Sequence, residues 1–110
     1  MQKIEINVQE PYLGYILSGK KTVEGRLNKG KFGSLKNGDI LTIGSTAKEY
    51  EVIATQVYKT FREMIEKEGV ENVIPDKNSI DDAVAVYYNF YTPEQEKEFG
   101  VVAIKIKKVE

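Results

Sequence analysis

The side chains best suited to chemistry in this sequence stand close together near the N-terminus: Lys21, Glu24 and Arg26. Arginine offers a planar fork of donors to a phosphate, a carboxylate or a base edge, and glutamate can accept a hydrogen bond from an exocyclic amine. A lysine acts as a general base only where burial or a neighbouring cation lowers its pKa. The three residues therefore predict a site for a phosphate or a nucleobase, or acid-base catalysis by Lys21.

The residue types that are missing exclude several other chemistries. The 110 residues include no cysteine and no histidine. Disulfides, thiolate nucleophiles, histidine-based triads and His/Cys zinc sites are therefore impossible. We expect no metal site and no cofactor, although Mg²⁺ carried in by a phosphate remains compatible with the sequence.

The charge is distributed unevenly although the net charge is only -1. Residues 1–48 contain eight basic and four acidic side chains, whereas residues 49–110 contain eight basic and thirteen acidic ones. Between Ser18 and Lys36, six basic side chains accompany one acid, Glu24. Such a patch attracts a phosphate or a short strand, but the near-neutral total argues against wrapping long duplex DNA.

Two strands and a helix must position the three central residues. Ile4, Ile6 and Val8 alternate with polar residues and predict a strand over Lys3–Val8. Helical spacing after Pro11 predicts a helix that Gly19 ends in a left-handed conformation. The period then returns to two, so that Thr22, Glu24 and Arg26 would share one face of a second strand.

The rest of the chain predicts three further strands and two helices. In chain order we expect a flexible loop at Gly30–Gly33, a turn at Lys36–Asp39 and strands at Ile40–Gly44 and Glu49–Val57. A helix from the Thr60 cap to Gly69, a loop with Pro75 and Asp76, and a helix from the Ser79 cap to Pro93 follow. The chain then has an exposed acidic segment at Glu94–Glu98 and a closing strand at Val102–Lys107. This pattern is α+β, with about five strands able to curl into a small barrel and flanking helices.

Length and hydropathy predict one domain over residues 1–110 and no membrane segment, because no apolar run approaches the roughly 20 residues that a span needs. The N-terminus alternates instead of forming a signal-peptide block, so we expect a cytoplasmic protein. The oligomeric state stays open.

Some candidate residues also have a plain structural interpretation. Glu24 and Arg26 could lie on a solvated strand face and pair with cross-strand partners. Tyr87 and Tyr91, four residues apart on a helix, fit core packing better than base stacking. Lys105, Lys107 and Lys108 fit a solvated strand edge.

The segment Gly19-x-Lys21-x-x-Glu24-x-Arg26, placed directly after a helix, resembles the signature of the ASCH domain, named for its homology to activating signal cointegrator. The likeness extends over nearly the whole chain. Its other parts are the turn at Lys36–Ile40, the helix start at Thr60–Glu63, the stretch Tyr87–Tyr91 and the closing Gly100–Ile104.

The resemblance implies a β-barrel similar to the PUA fold, with a cleft beside the barrel that binds single-stranded RNA or a modified nucleoside. The ligand-binding residues would be Lys20, Lys21, Thr22, Glu24, Arg26 and Tyr87. In this hypothesis Lys21 and Arg26 hold phosphate or base oxygens, and Glu24 reads an amine.

The resemblance also implies a hydrolase as the alternative function. Some small bacterial relatives remove the acetyl group from N4-acetylcytidine with a lysine, a threonine and a glutamate. The lysine corresponds to Lys21, Glu24 stands at the threonine position, and the family glutamate aligns with Glu63, Glu66 or Glu68. Lys21, Glu24 and Glu63 are thus the candidate catalytic residues, for deacylation or for RNA cleavage with Lys21. A protein-interaction domain is the further alternative.

Overall fold

Five strands and six short helices make up the fold in the computed structural model, which describes residues 1–110. The strands are β1 (Lys3–Ile6), β2 (Val23–Leu27), β3 (Ile40–Ile43), β4 (Lys48–Tyr58) and β5 (Val101–Lys108). The helices are α1 (Tyr12–Ser18), α2 (Gly30–Gly33), α3 (Phe61–Glu68), α4 (Val70–Val73), α5 (Ile80–Tyr87) and α6 (Pro93–Phe99). The predicted α+β class is confirmed.

One mixed sheet contains all five strands, in the order β1-β3-β4-β5-β2. β1 runs parallel to β3, and every other neighbouring pair is antiparallel. The sheet curls into a half-barrel whose two edges are β1 and β2. The predicted small barrel of about five strands is confirmed in this form.

The two faces of the sheet bury separate hydrophobic clusters, as strand β5 illustrates. Val101 and Ala103 belong to an outer cluster under helices α3 to α5, whereas Val102, Ile104 and Ile106 belong to an inner cluster within the curl of the sheet. Because successive side chains of a strand point to opposite faces, this alternation follows from the sequence.

Strand β2 is buried on both faces, contrary to the solvated-face interpretation. Val23 and Leu27 join the outer cluster. Glu24 pairs in register with Ile104 on the inner side, and it is only 6% exposed. A charged side chain is buried this deeply only when it is paired, so its partners decide what the strand does.

The predicted helix boundaries that depend on a local cap are confirmed. Gly19 follows α1 with a φ of 86°, which glycine adopts without steric cost. The Thr60 side chain accepts a hydrogen bond from the Glu63 N–H and begins α3, and Ser79 does the same for α5 through Asp82.

One predicted loop is wrong because a short helical turn occupies it. Residues Gly30–Gly33 form α2, and its Phe32 ring packs against the inner cluster, so an apolar anchor orders a segment whose glycines suggested freedom. The predicted loop around Pro75 is confirmed. It is preceded directly after Gly69 by a further short helix, α4, whose Val73 is fully buried.

The predicted helix from Ser79 to Pro93 is too long, and the acidic segment after it is not simply exposed. Helix α5 ends at Tyr87, and a new helix, α6, begins at Pro93 with a capping box between Thr92 and Gln95. Glu96 is buried, and its carboxylate accepts hydrogen bonds from the Phe61 N–H and the Tyr88 hydroxyl, both at 2.7 Å. These bonds dock α6 onto the start of α3.

None of these helices combines the length and the apolar composition that a membrane crossing requires.

Candidate functional site

Lys21, Glu24 and Arg26 form one buried charge cluster at the edge strand β2. Lys21 Nζ lies 3.3 Å from Glu24 Oε1, and Arg26 Nη2 lies 2.9 Å from Glu24 Oε2. The side chains of Lys21, Glu24 and Arg26 are 1%, 7% and 16% exposed. The carboxylate therefore stands between two cations that are largely removed from water.

The end of α1 and the helix α4 together place Lys21. After the left-handed turn at Gly19, the Lys21 N–H donates to the Tyr15 carbonyl. Its Nζ then donates to the carbonyls of Val23, at 2.8 Å, and Val73, at 2.5 Å. Glu24 Oε1 lies 3.3 Å from this nitrogen as its ion-pair partner.

Both carboxylate oxygens of Glu24 are engaged within the protein. Oε1 accepts from the Gly25 N–H and forms the ion pair with Lys21 Nζ, while Oε2 accepts from Nε and Nη2 of Arg26. The geometry thus makes Glu24 the group that orients the two cations.

Arg26 bridges the two edges of the half-barrel. Its Nη2 donates to the carbonyl of Asn7, one residue beyond the end of β1, at 2.6 Å. The guanidinium carbon lies 4.7 Å from the centre of the Phe32 ring, a cation-π contact. Nη1 donates no hydrogen bond within the protein, so it is the part of the fork that remains for a ligand.

A cleft of about 200 Å³ opens beside this cluster. It is lined by the segment after β1, by α1, by β2 and by the end of α5 with the residues that follow it. The lining residues are Asn7, Val8, Gln9, Tyr12, Lys21, Glu24, Gly25, Arg26, Ile74, Val86, Tyr87, Phe90 and Tyr91. Four of them are aromatic, and three carry charge: Lys21, Glu24 and Arg26.

The Tyr87 hydroxyl is the one buried side-chain polar atom without a hydrogen-bond partner in the protein. A Cβ built on Gly25 would lie 2.8 Å from this oxygen, so the hydroxyl occupies its position only because residue 25 is glycine. The ring is fixed by stacking on Phe61, with centroids 4.4 Å apart. Leaving such a group unpaired costs about 1–3 kcal/mol. The oxygen is closed to solvent in the free protein, so a ligand in the cleft reaches it only when a neighbouring side chain shifts.

The pKa shifts in the cleft follow from burial and from the ion pairs. Burial lowers the pKa of Lys21, and Glu24 offsets this only in part. Burial alone would raise the pKa of Glu24, but Lys21 and Arg26 outweigh it and hold that pKa below its usual value. Burial raises the pKa of Tyr87 well above 10.0, so its hydroxyl keeps its proton and can donate.

A model of the ASCH domain matches residues 6–110. The chain belongs to the ASCH family. The crystal structure of hypothetical protein PH0355 is similar, with 44% identity, a TM-score of 0.94 and coverage of 98% of this chain and 100% of that one. The solution NMR structure of protein PF0455 from Pyrococcus furiosus is 43% identical, with a TM-score of 0.83 and coverage of 99% of each chain. No curated protein sequence matches the chain.

In this ASCH domain the structure brings four of the predicted site residues together. Lys21, Glu24, Arg26 and Tyr87 all line the cleft. The ion pairs of Glu24 join residues of one segment, Lys21 to Arg26. The interpretation of a solvated strand face had expected cross-strand pairs instead. Tyr87 packs on Phe61, as the core-packing interpretation predicted, and it also lines the cleft.

Three other predicted site residues of the ASCH domain lie elsewhere. Lys20 is exposed, with its Nζ 6.0 Å from the Tyr15 ring centre. Thr22 lies outside the cleft, and its backbone bonds to Asn72 and Ile106. Glu63 is a cap residue of α3 whose carboxylate accepts from the Lys59 N–H. The fold therefore brings no second carboxylate to Lys21.

Sequence reasoning missed several cleft residues of this ASCH domain. Tyr12 and Phe90 line it, and neither was among the predicted site residues. The neighbouring Asp76 adds to burial in raising the pKa of Tyr12. No local signal identifies such residues, because the cleft exists only where α1, β2 and the end of α5 meet.

Proposed function

We propose that the cleft binds one base of a single-stranded RNA, or the base of a modified nucleoside. The size of the cleft, about 200 Å³, supports a small ligand, since sites for drug-sized molecules span roughly 300–1,000 Å³. Its aromatic walls suit a flat ring, because stacking of a base on an aromatic side chain contributes about 1–3 kcal/mol.

Arg26 and Tyr87 supply the polar contacts in this proposal. The free Nη1 of Arg26 and the Tyr87 hydroxyl both donate, so they match the oxygens or ring nitrogens of a base. Glu24 fixes the guanidinium, and Lys21 fixes Glu24. Reading of an exocyclic amine by Glu24 is disfavoured, because both of its oxygens are already engaged by groups of the protein.

The contacts favour binding over hydrolysis. A general base must be free to take a proton, yet the Lys21 ammonium donates to two carbonyls and is paired with Glu24. Glu24 is the only carboxylate in the cleft lining, and its two cations keep it a weak base. The lowered pKa of Lys21 is the one feature that an amidohydrolase or ribonuclease would share.

The unpaired hydroxyl of Tyr87 carries the proposal, and its removal tests it. We expect Tyr87→Phe to weaken binding of a short single-stranded RNA by roughly 2- to 10-fold, the value of one neutral hydrogen bond. The free energy of unfolding should stay the same or rise, because the substitution removes a polar group that has no partner in the protein. Fluorescence anisotropy and urea unfolding measure the two effects.

Tyr88→Phe is the matched control for this substitution. The Tyr88 hydroxyl already donates to Glu96, and Tyr88 does not line the cleft. We expect Tyr88→Phe to lower stability without a change in RNA affinity. Unchanged affinity in Tyr87→Phe, together with lost stability, would assign Tyr87 to the core alone.

A further inference from the structure

A second, larger depression of about 520 Å³ lies near the end of α1 and the last residues of β5. Lys21 lines both this depression and the cleft, so the two are neighbours. The lining residues are Ile16, Leu17, Ser18, Gly19, Lys21, Thr22, Tyr50, Ile53, Lys105, Ile106, Lys107 and Lys108. None of the twelve is acidic.

The depression exists because β5 extends beyond β2. Strand β5 is not a sheet edge as the sequence suggested, since it lies between β4 and β2. Its pairing with β2 ends at Lys105 opposite Val23, while its pairing with β4 continues to Lys108. The final lysines therefore stand where one neighbouring strand has stopped.

The three lysines at the end of β5 form no ion pair. Lys105, Lys107 and Lys108 are exposed, and none of their ammonium nitrogens lies within 4.0 Å of an acidic oxygen. Leu17 and Ile53 are 38% and 36% exposed and give the depression apolar surface. Cations beside apolar surface match a phosphate backbone with its sugars.

We propose that this depression holds the phosphodiester backbone of a single-stranded RNA whose base occupies the cleft. The inference rests on the proposed function and names the ligand as a strand, because a free nucleoside has no phosphate for the three lysines. In this proposal the strand passes over Lys21, whose buried side chain lies between the two sites.

The test compares a nucleoside with an oligonucleotide in the triple variant Lys105→Gln, Lys107→Gln, Lys108→Gln. Each lysine that neutralises a phosphate of a single strand adds about -0.7 to the slope of the logarithm of the association constant against the logarithm of the salt concentration. We therefore expect the variant to make this slope for a seven-nucleotide RNA less steep by about 2, with at least ~10-fold weaker binding at low salt. Binding of the unphosphorylated nucleoside should stay unchanged.

A triple variant with the same loss of charge is the control. Lys59, Lys67 and Lys97 are exposed and lie outside both sites. Their change to glutamine should leave the RNA slope close to that of the unaltered protein.

The outcomes separate this inference from the proposed function. If the protein binds the nucleoside and the salt slope of RNA binding is the same in both triple variants, the backbone site is overturned and the cleft proposal is retained. A polyglutamate peptide with the same net charge as the RNA is a further probe. If it competes with the RNA for the unaltered protein, the lysines bind acidic proteins, and the backbone site is overturned as well. If the unaltered protein binds neither the RNA nor the nucleoside, both proposals are overturned.

Discussion

Replacing Glu24 with alanine is expected to lower the free energy of unfolding by about 3–5 kcal/mol, the cost of removing one partner from a buried ion pair. The substitution leaves Lys21, whose side chain is 1% exposed, without its carboxylate. It also frees Arg26 from the two bonds that hold its fork. Urea unfolding followed by circular dichroism measures the change.

The exposed Glu66 supplies the control, since the free energy of unfolding of Glu66→Ala should stay within about 0.5 kcal/mol of that of the unaltered protein.

The pH dependence of stability identifies the ionic origin of the Glu24 contribution. The folded-state pKa of Glu24 is lowered, so its contribution is full above the ordinary value of 4.5 and disappears as the pH falls through the folded pKa. The stability gap between Glu24→Ala and the unaltered protein should therefore narrow in acid. A small difference in stability between Glu24→Ala and the unaltered protein at neutral pH would contradict an ionised, paired Glu24 carboxylate.

Replacing Arg26 with lysine is expected to weaken RNA binding by roughly 10- to 150-fold, which corresponds to about 1.5–3 kcal/mol for a charge-assisted hydrogen bond. The net charge stays the same, so long-range attraction is unchanged. Arginine holds Glu24 and the Asn7 carbonyl through Nε and Nη2 and keeps Nη1 for the ligand. A lysine ammonium has one nitrogen and cannot make these contacts together.

Lys29→Arg is a suitable control for that substitution, because Lys29 is exposed and lies outside the cleft. Calorimetric titration with the same RNA gives both affinities. Since Arg26 also links the strand edges, unfolding must be measured beside binding. A folded Arg26→Lys variant that binds RNA as tightly as the unaltered protein would remove Arg26 from the site.

The sequence predicted those parts of the fold that few neighbouring residues decide. Gly19, Thr60 and Ser79 end or begin helices through contacts within one turn, and the five strands follow from alternation. The helix at Pro93–Phe99 had an equally local signal in Thr92 and Gln95. Its density of acidic residues concealed that Glu96 points inward.

The candidate site was predictable in its residues but not in its geometry. The spacing of Lys21, Glu24 and Arg26 identified the cluster, yet their burial depends on the Val73 carbonyl of α4 and on the Asn7 carbonyl beyond β1. Such contacts join segments far apart in the chain, and no periodicity reports them. The same reason explains why Glu63 was a candidate and Tyr12 was not.

The central claim is that the cleft binds a base without breaking a bond. It is tested most directly by an NMR titration of the isotope-labelled protein with N4-acetylcytidine and then with a short single-stranded RNA. We predict shifts of the amides of Val8, Gly25, Arg26 and Tyr91, which line the cleft, while the ligand's acetyl signal stays intact. Loss of the acetyl signal would show a hydrolase instead. Absence of shifts at these amides with both ligands would contradict the cleft as a base-binding site.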